Sequence, residues 1–79
     1  MVPRLFPGYI PIKQFDSSDG LHRLVIYKRA DGLFGYMGDR QTTEDGDTFW
    51  EPAYFSGIHD TVESAEAAAR KEIPWLRAT

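Results

Sequence analysis

The sequence predicts an α+β fold, a small antiparallel sheet of three to four strands packed on one C-terminal α-helix in the order (β)βββα. Three observations carry that expectation. The stretch from Asp60 to Ile73 has an apolar stripe at helical spacing, with capping residues at its start and a proline after its end. Ala30, Asp31 and Gly32 separate two runs of β-branched and aromatic residues, which is a hairpin signal. A third such run, Thr48 to Phe55, leads directly toward the helix. The 79 residues read as one domain, in which 1–8 form a proline-rich arm.

Past the arm, Tyr9, Ile10, Ile12 and Phe15 are apolar enough to lie on a neighbour, but Pro11 lacks the amide that a central strand needs, so any strand here is an edge. Asp16, Ser17, Ser18, Asp19 and Gly20 form a turn cluster that lacks the ligand alternation and the bidentate glutamate of a calcium loop. Leu24 to Tyr27, followed by Lys28 and Arg29, is the first clear strand, and Leu33 to Gly38 return as the second. Two registers fit the turn between them. A two-residue loop of Asp31 and Gly32 sets Tyr27 opposite Tyr36; a three-residue loop with Gly32 left-handed sets Tyr27 opposite Gly35 and Val25 opposite Met37. The longer loop is preferred, because a tyrosine lying over a cross-strand glycine covers its bare backbone. Arg40 to Asp47 reads as a polar, acidic connection. In the strand that follows, alternation puts Phe49, Ala53 and Phe55 on one side with Glu51, and Trp50 and Tyr54 on the other with Pro52; that proline again argues for an edge.

The helix reads as starting near Asp60, since Asp60 and Thr61 both cap well and Glu63 stands three residues after Asp60, the spacing of a capping box. Ile58 is placed as a hydrophobic staple ahead of it. Val62, Ala65, Ala69, Ile73 and Leu76 recur at spacings of three and four, with acids early and bases late, as the helix dipole favours. The small alanines allow close approach to a sheet. Pro74 stops the helix at Ile73, and Trp75 and Leu76 then fold back as a plug at the sheet's edge.

The composition excludes several functions. There is no cysteine, hence no disulfide, thiolate nucleophile or cysteine-held zinc, and the net charge of −3 gives no general attraction to nucleic acid or anionic lipid. No apolar run approaches membrane-spanning length, so a cytoplasmic domain without membrane contact is expected. His22 and His59 stand at element boundaries without metal-ligand spacing, Ser56 lacks the glycine pattern of a nucleophile elbow, and no glycine-rich phosphate loop opens a helix. Glu44, Asp45, Asp47 and Glu51 would need a walled pocket to act as a catalytic pair. No catalytic residue, metal site or cofactor is therefore assigned.

The strands are apolar on both sides near their middles, so the face away from the helix has to be covered or used. The N-terminal segment, with Phe6, Tyr9, Ile10, Ile12 and Phe15, is the first candidate cover, self-association the second, and a ligand or base-stacking platform the third. Arg23, Tyr27, Lys28, Arg29, Phe34, Tyr36, Trp50 and Tyr54 make up the candidate binding surface. Aromatic and basic residues on a sheet are what single-strand RNA modules use, but the acidic total ranks nucleic acid behind an unidentified protein partner or a homodimer.

In order, Ile26 to Tyr36 (IYKRADGLFGY), a variable acidic loop, Phe49 to Ile58 (FWEPAYFSGI) and an alanine-rich capped helix ending in Pro74, Trp75 and Leu76 resemble small bacterial proteins of three strands followed by a helix. More distantly the plan is similar to YegP-like repeats and to the antitoxin domain of HicB-like proteins. That resemblance implies a sheet serving in a dimer or binding a small toxin, and it carries over no active-site residue. A non-catalytic binding domain is the reading that results, with an RNA-binding or toxin-neutralising module as the first alternative. The second, a small-molecule-binding protein, would need a concave pocket near His22 or His59.

Overall fold

The computed structural model describes residues 8–77. Four strands, β1 (Ile10–Asp16), β2 (His22–Lys28), β3 (Phe34–Glu44) and β4 (Asp47–Phe55), pair antiparallel in chain order, and helices α1 (Val62–Glu72) and α2 (Pro74–Arg77) follow. The α+β plan of a small antiparallel sheet on a C-terminal helix is thus what the chain adopts.

The β2–β3 turn settles the register. Gly32 has φ of +86°, its amide donates to the Arg29 carbonyl at 3.0 Å, and the Arg29 amide donates to Leu33 O at 2.7 Å. Ala30, Asp31 and Gly32 therefore form the three-residue loop, Tyr27 lies opposite Gly35 and Val25 opposite Met37. Asp31 tightens the turn by accepting from the Leu33 amide at 3.0 Å. That Leu33 bond first, then Arg29, whose guanidinium lies 3.2 Å from it, hold the Asp31 carboxyl below its ordinary range.

The second hairpin differs from the sequence expectation. Arg40 to Glu44 continue β3 rather than looping, and Glu44 pairs with Asp47 across a two-residue turn in which Asp45 (φ 52°) and Gly46 (φ 82°) are both left-handed. An Asp-Gly pair suits this twist, whereas the polar side chains of Gln41, Thr42 and Thr43 hide the strand from a hydrophobicity pattern. Beyond His22, β2 ends, and β3 and β4 continue together as a two-stranded ribbon.

Both strand prolines stand on edge strands, each beside a break in pairing: Ile12 is the extra residue after Pro11 in β1, and Ala53 the extra residue after Pro52 in β4. Since Arg29 bonds to Leu33, alternation has Tyr27 bonding to Gly35 on its β3 side, so the missing amide of Pro11, opposite Tyr27 on the other side, interrupts no ladder bond.

Thr61, not Asp60, caps α1: its hydroxyl accepts from the Ser64 amide at 3.0 Å, and no capping box with Glu63 forms. Ile58 is 56% exposed and does not act as a staple. Instead His59 pins the chain before the helix. It exchanges two backbone hydrogen bonds with Phe34, both 2.9 Å, stacks on Tyr36, and pairs through Nδ1 with Ser64 Oγ at 3.1 Å. The core lies between α1 and the β2–β3 hairpin. Leu24, Ile26 and Tyr36 meet Ala65, Ala69, Ile73 and Leu76, all at most 3% exposed, with Val62 partly buried beside them. Pro74 ends α1 at the Ile73 cap and opens α2, whose Leu76 is fully buried.

Overpacking this contact is expected to unfold the domain. Ala69→Trp should cost about 3 kcal/mol or more, comparable to the ~3–5 kcal/mol that a core of this size supplies. Circular dichroism should show loss of the cooperative melt, and a melting curve like that of the parent chain would show that α1 does not sit on β2 and β3 through its alanines.

Candidate functional site

The pairing divides the sequence-predicted surface between two faces. Tyr36 and Phe34 are opposite Ile26 and Lys28, and Tyr54 is opposite Gly38, so these side chains lie on the helix side. There Tyr36 is 3% exposed and its hydroxyl donates to Glu72, while Phe34 and Tyr54 pack against the core. Burial first, then Glu72, push the Tyr36 phenol well above its ordinary range. Lys28 is exposed on the same side, and Arg29 belongs to the turn with Asp31. Only Arg23, Tyr27 and Trp50 share the opposite face. The expectation that Trp50 and Tyr54 point the same way fails because Ala53, an added residue between Pro52 and Tyr54, shifts the alternation by one.

The face away from the helix is built around Val25, fully buried and flanked on β3 by half-buried Met37. Phe55, opposite Met37, is 63% exposed. At one end Tyr9 stacks on Tyr27 with ring centroids 5.1 Å apart, and Tyr27 lies across Gly35, where an added Cβ would sit 2.9 Å from both the Tyr27 hydroxyl and Ser56 Oγ. Ser56 Oγ accepts the Tyr36 amide at 2.7 Å. At the other end Arg23 and Asp39 form a buried ion pair, Nε to Oδ2 3.6 Å, with the guanidinium 4.0 Å above the Trp50 ring. Burial raises the Asp39 carboxyl above its ordinary range, and Arg23 pulls it part of the way back. Of the segment expected to cover this face, Tyr9 does lie on it, Phe15 packs on the helix side, Ile10 and Ile12 are 56% and 43% exposed, and Phe6 lies outside the described residues.

On the helix side, beyond the reach of α1, the bulge at Pro52 and Ala53 opens a shallow recess of about 290 Å³ lined by His22, Arg40, Pro52, Ala53 and Tyr54. His22 and Arg40 are cross-strand partners. Trp75 stacks on the His22 ring at 5.9 Å, so the chain after Pro74 does fold back onto the sheet. His22 Nδ1 is buried without a hydrogen-bond partner. Sequence reasoning placed both histidines at boundaries in solvent; their contacts with Trp75, Tyr36 and Ser64 give them structural work, and the first two of those join residues far apart in the chain. Among the described residues no group of three or more His, Cys, Asp or Glu side chains is arranged to hold a metal ion, and no helix is long and apolar enough to cross a membrane.

The Asp39 carboxyl yields a signed pH test. Its folded value lies above its unfolded one, so the folded chain holds the proton longer, and the stability Asp39 contributes is greatest below the unfolded value and falls as pH rises through the folded one. Relative to the parent chain, Asp39→Asn should therefore gain stability between about pH 3 and pH 6, the range around an ordinary carboxyl. Urea titrations across that range check it; a difference that stays constant with pH would mean that burial does not raise the folded value of the carboxyl. Comparison of the chain with family models, with curated proteins and with solved structures finds no match to any of them.

Proposed function

We propose that the protein is a non-catalytic binding domain that pairs with a second copy of itself through the sheet face away from α1. The observation that carries this reading is Phe55, 63% exposed beside half-buried Met37 on a face that no helix among the described residues covers. Its central charges, Arg23 and Asp39, already neutralise each other, so a copy of the same face meets little repulsion despite the net charge of −3. A two-fold pairing needs only this one self-complementary patch. The small core adds a reason, since a domain of this size gains stability from burying further apolar area.

The RNA-binding alternative draws no support from the geometry. Arg23 is buried against Asp39, Lys28 lies on the other side of the sheet, and Arg29 is engaged by Asp31, so aromatic and basic groups do not converge on one surface.

Sedimentation velocity over a range of protein concentrations is the test. The parent chain should shift from monomer to dimer, and Phe55→Glu, at a position exposed enough to spare the fold, should weaken the dimer about thirtyfold, the effect of losing an interface anchor. A parent chain that stays monomeric throughout would sink self-association and transfer the face to a different protein partner.

A further inference from the structure

The recess beside His22 lies on the helix side of the sheet, so what it binds is independent of the proposed pairing through the other face. Its chemistry is one-sided. Arg40 is fixed by Glu51, which accepts from Nε at 2.7 Å and also from the Thr42 hydroxyl at 2.7 Å, and those two donors hold the Glu51 carboxyl below its ordinary range. The terminal guanidinium nitrogens of Arg40 make no hydrogen bond among the described residues, and the side chain is 59% exposed. Held in this way, the guanidinium offers a planar pair of donors.

His22 adds a donor. A buried, unpartnered Nδ1 is tolerated better as a bare acceptor than as an unsatisfied N–H, which puts the proton of the neutral ring on Nε2. Trp75 stacked on the ring fixes its plane. The acid that feels the charge of His22 is Asp19, whose carboxylate already accepts from Ser17 Oγ and from the Leu21 amide. The remaining walls, Pro52, Ala53 and the Tyr54 ring, are mainly apolar. A volume of about 290 Å³ exceeds what a simple inorganic anion fills.

We propose that this recess binds a carboxylate carried on a small apolar body, the carboxylate facing Arg40 and His22 and the body lying on Pro52, Ala53 and Tyr54. A free small acid and the C-terminus of a peptide offer the same chemistry.

The experiment titrates the isotopically labelled 79-residue chain with benzoate and, at matched ionic strength, with chloride. Saturable shifts at the His22, Arg40, Ala53 and Tyr54 amides with benzoate alone are expected. Arg40→Gln should weaken binding about tenfold or more, as loss of charge-assisted hydrogen bonds does. Should Arg40→Gln not give a folded spectrum, Arg40→Lys keeps a charge for Glu51 but loses the fork, and is expected to bind more weakly too. N-acetyl-glycyl-phenylalanine run beside benzoate assigns the source by which of the two binds more tightly. Shifts that rise without saturation, that chloride reproduces, that benzyl alcohol matches in affinity, or that folded Arg40 variants leave unchanged would overturn the proposal.

Discussion

Tyr27 facing Gly35 is the pairing on which the remaining geometry depends. Side chains alternate along a strand with a period of two, so a slip of one residue between β2 and β3 would exchange the two faces of β3 against β2. In the observed register Tyr36 joins Leu24 and Ile26 under the alanines of α1, while Met37 and Asp39 turn the other way beside Val25 and Arg23. Gly35 holds that register sterically, because the Tyr27 ring and Ser56 occupy the space where a Cβ would stand. The left-handed Gly32 sets the loop length that places Tyr27 there.

The bulge in β4 has the complementary role. Before Ala53 the strand sends Trp50 to the open face; after it, Tyr54 turns toward the helix and Phe55 toward the open face. A regular strand would have placed Trp50 and Tyr54 on the same face. One additional residue therefore exchanges the faces of Tyr54 and Phe55, and the recess lies at the join, a common setting for bulges near binding sites.

Most of the architecture was legible because it rests on short-range chemistry: a three-residue glycine turn, a proline that cannot serve in a central strand, an alanine stripe and a proline stop. What escaped was set by partners distant in the chain. Asp60 and Thr61 cap equally well by composition, and the choice of Thr61 follows from His59 being anchored to Phe34, which fixes where the chain enters the helix. The polar end of β3 has no hydrophobic alternation, although the Asp45-Gly46 pair was a usable signal for its turn. The candidate surface merged two faces: strand alternation in the preferred hairpin register already separates Lys28, Phe34 and Tyr36 from Arg23 and Tyr27, whereas the bulge that separates Tyr54 from Trp50 has no signal in residue type. The Arg23–Asp39 pair and the His22–Trp75 stack each join residues that only the folded sheet brings together.

The placement of α1 after all four strands bears on how the chain is made. Each strand pairs with the one just before it, so the sheet can zip up through local steps as synthesis proceeds from the N-terminus. The residues that shield Leu24, Ile26 and Tyr36, however, are Ala65, Ala69, Ile73 and Leu76, which are synthesised after all four strands. A nascent chain whose sheet forms as soon as β4 is complete would carry it with the apolar face bare. In such an interval the blunted edges, with Pro11 and Pro52 at their breaks in pairing, would disfavour edge-to-edge joining of neighbouring nascent sheets.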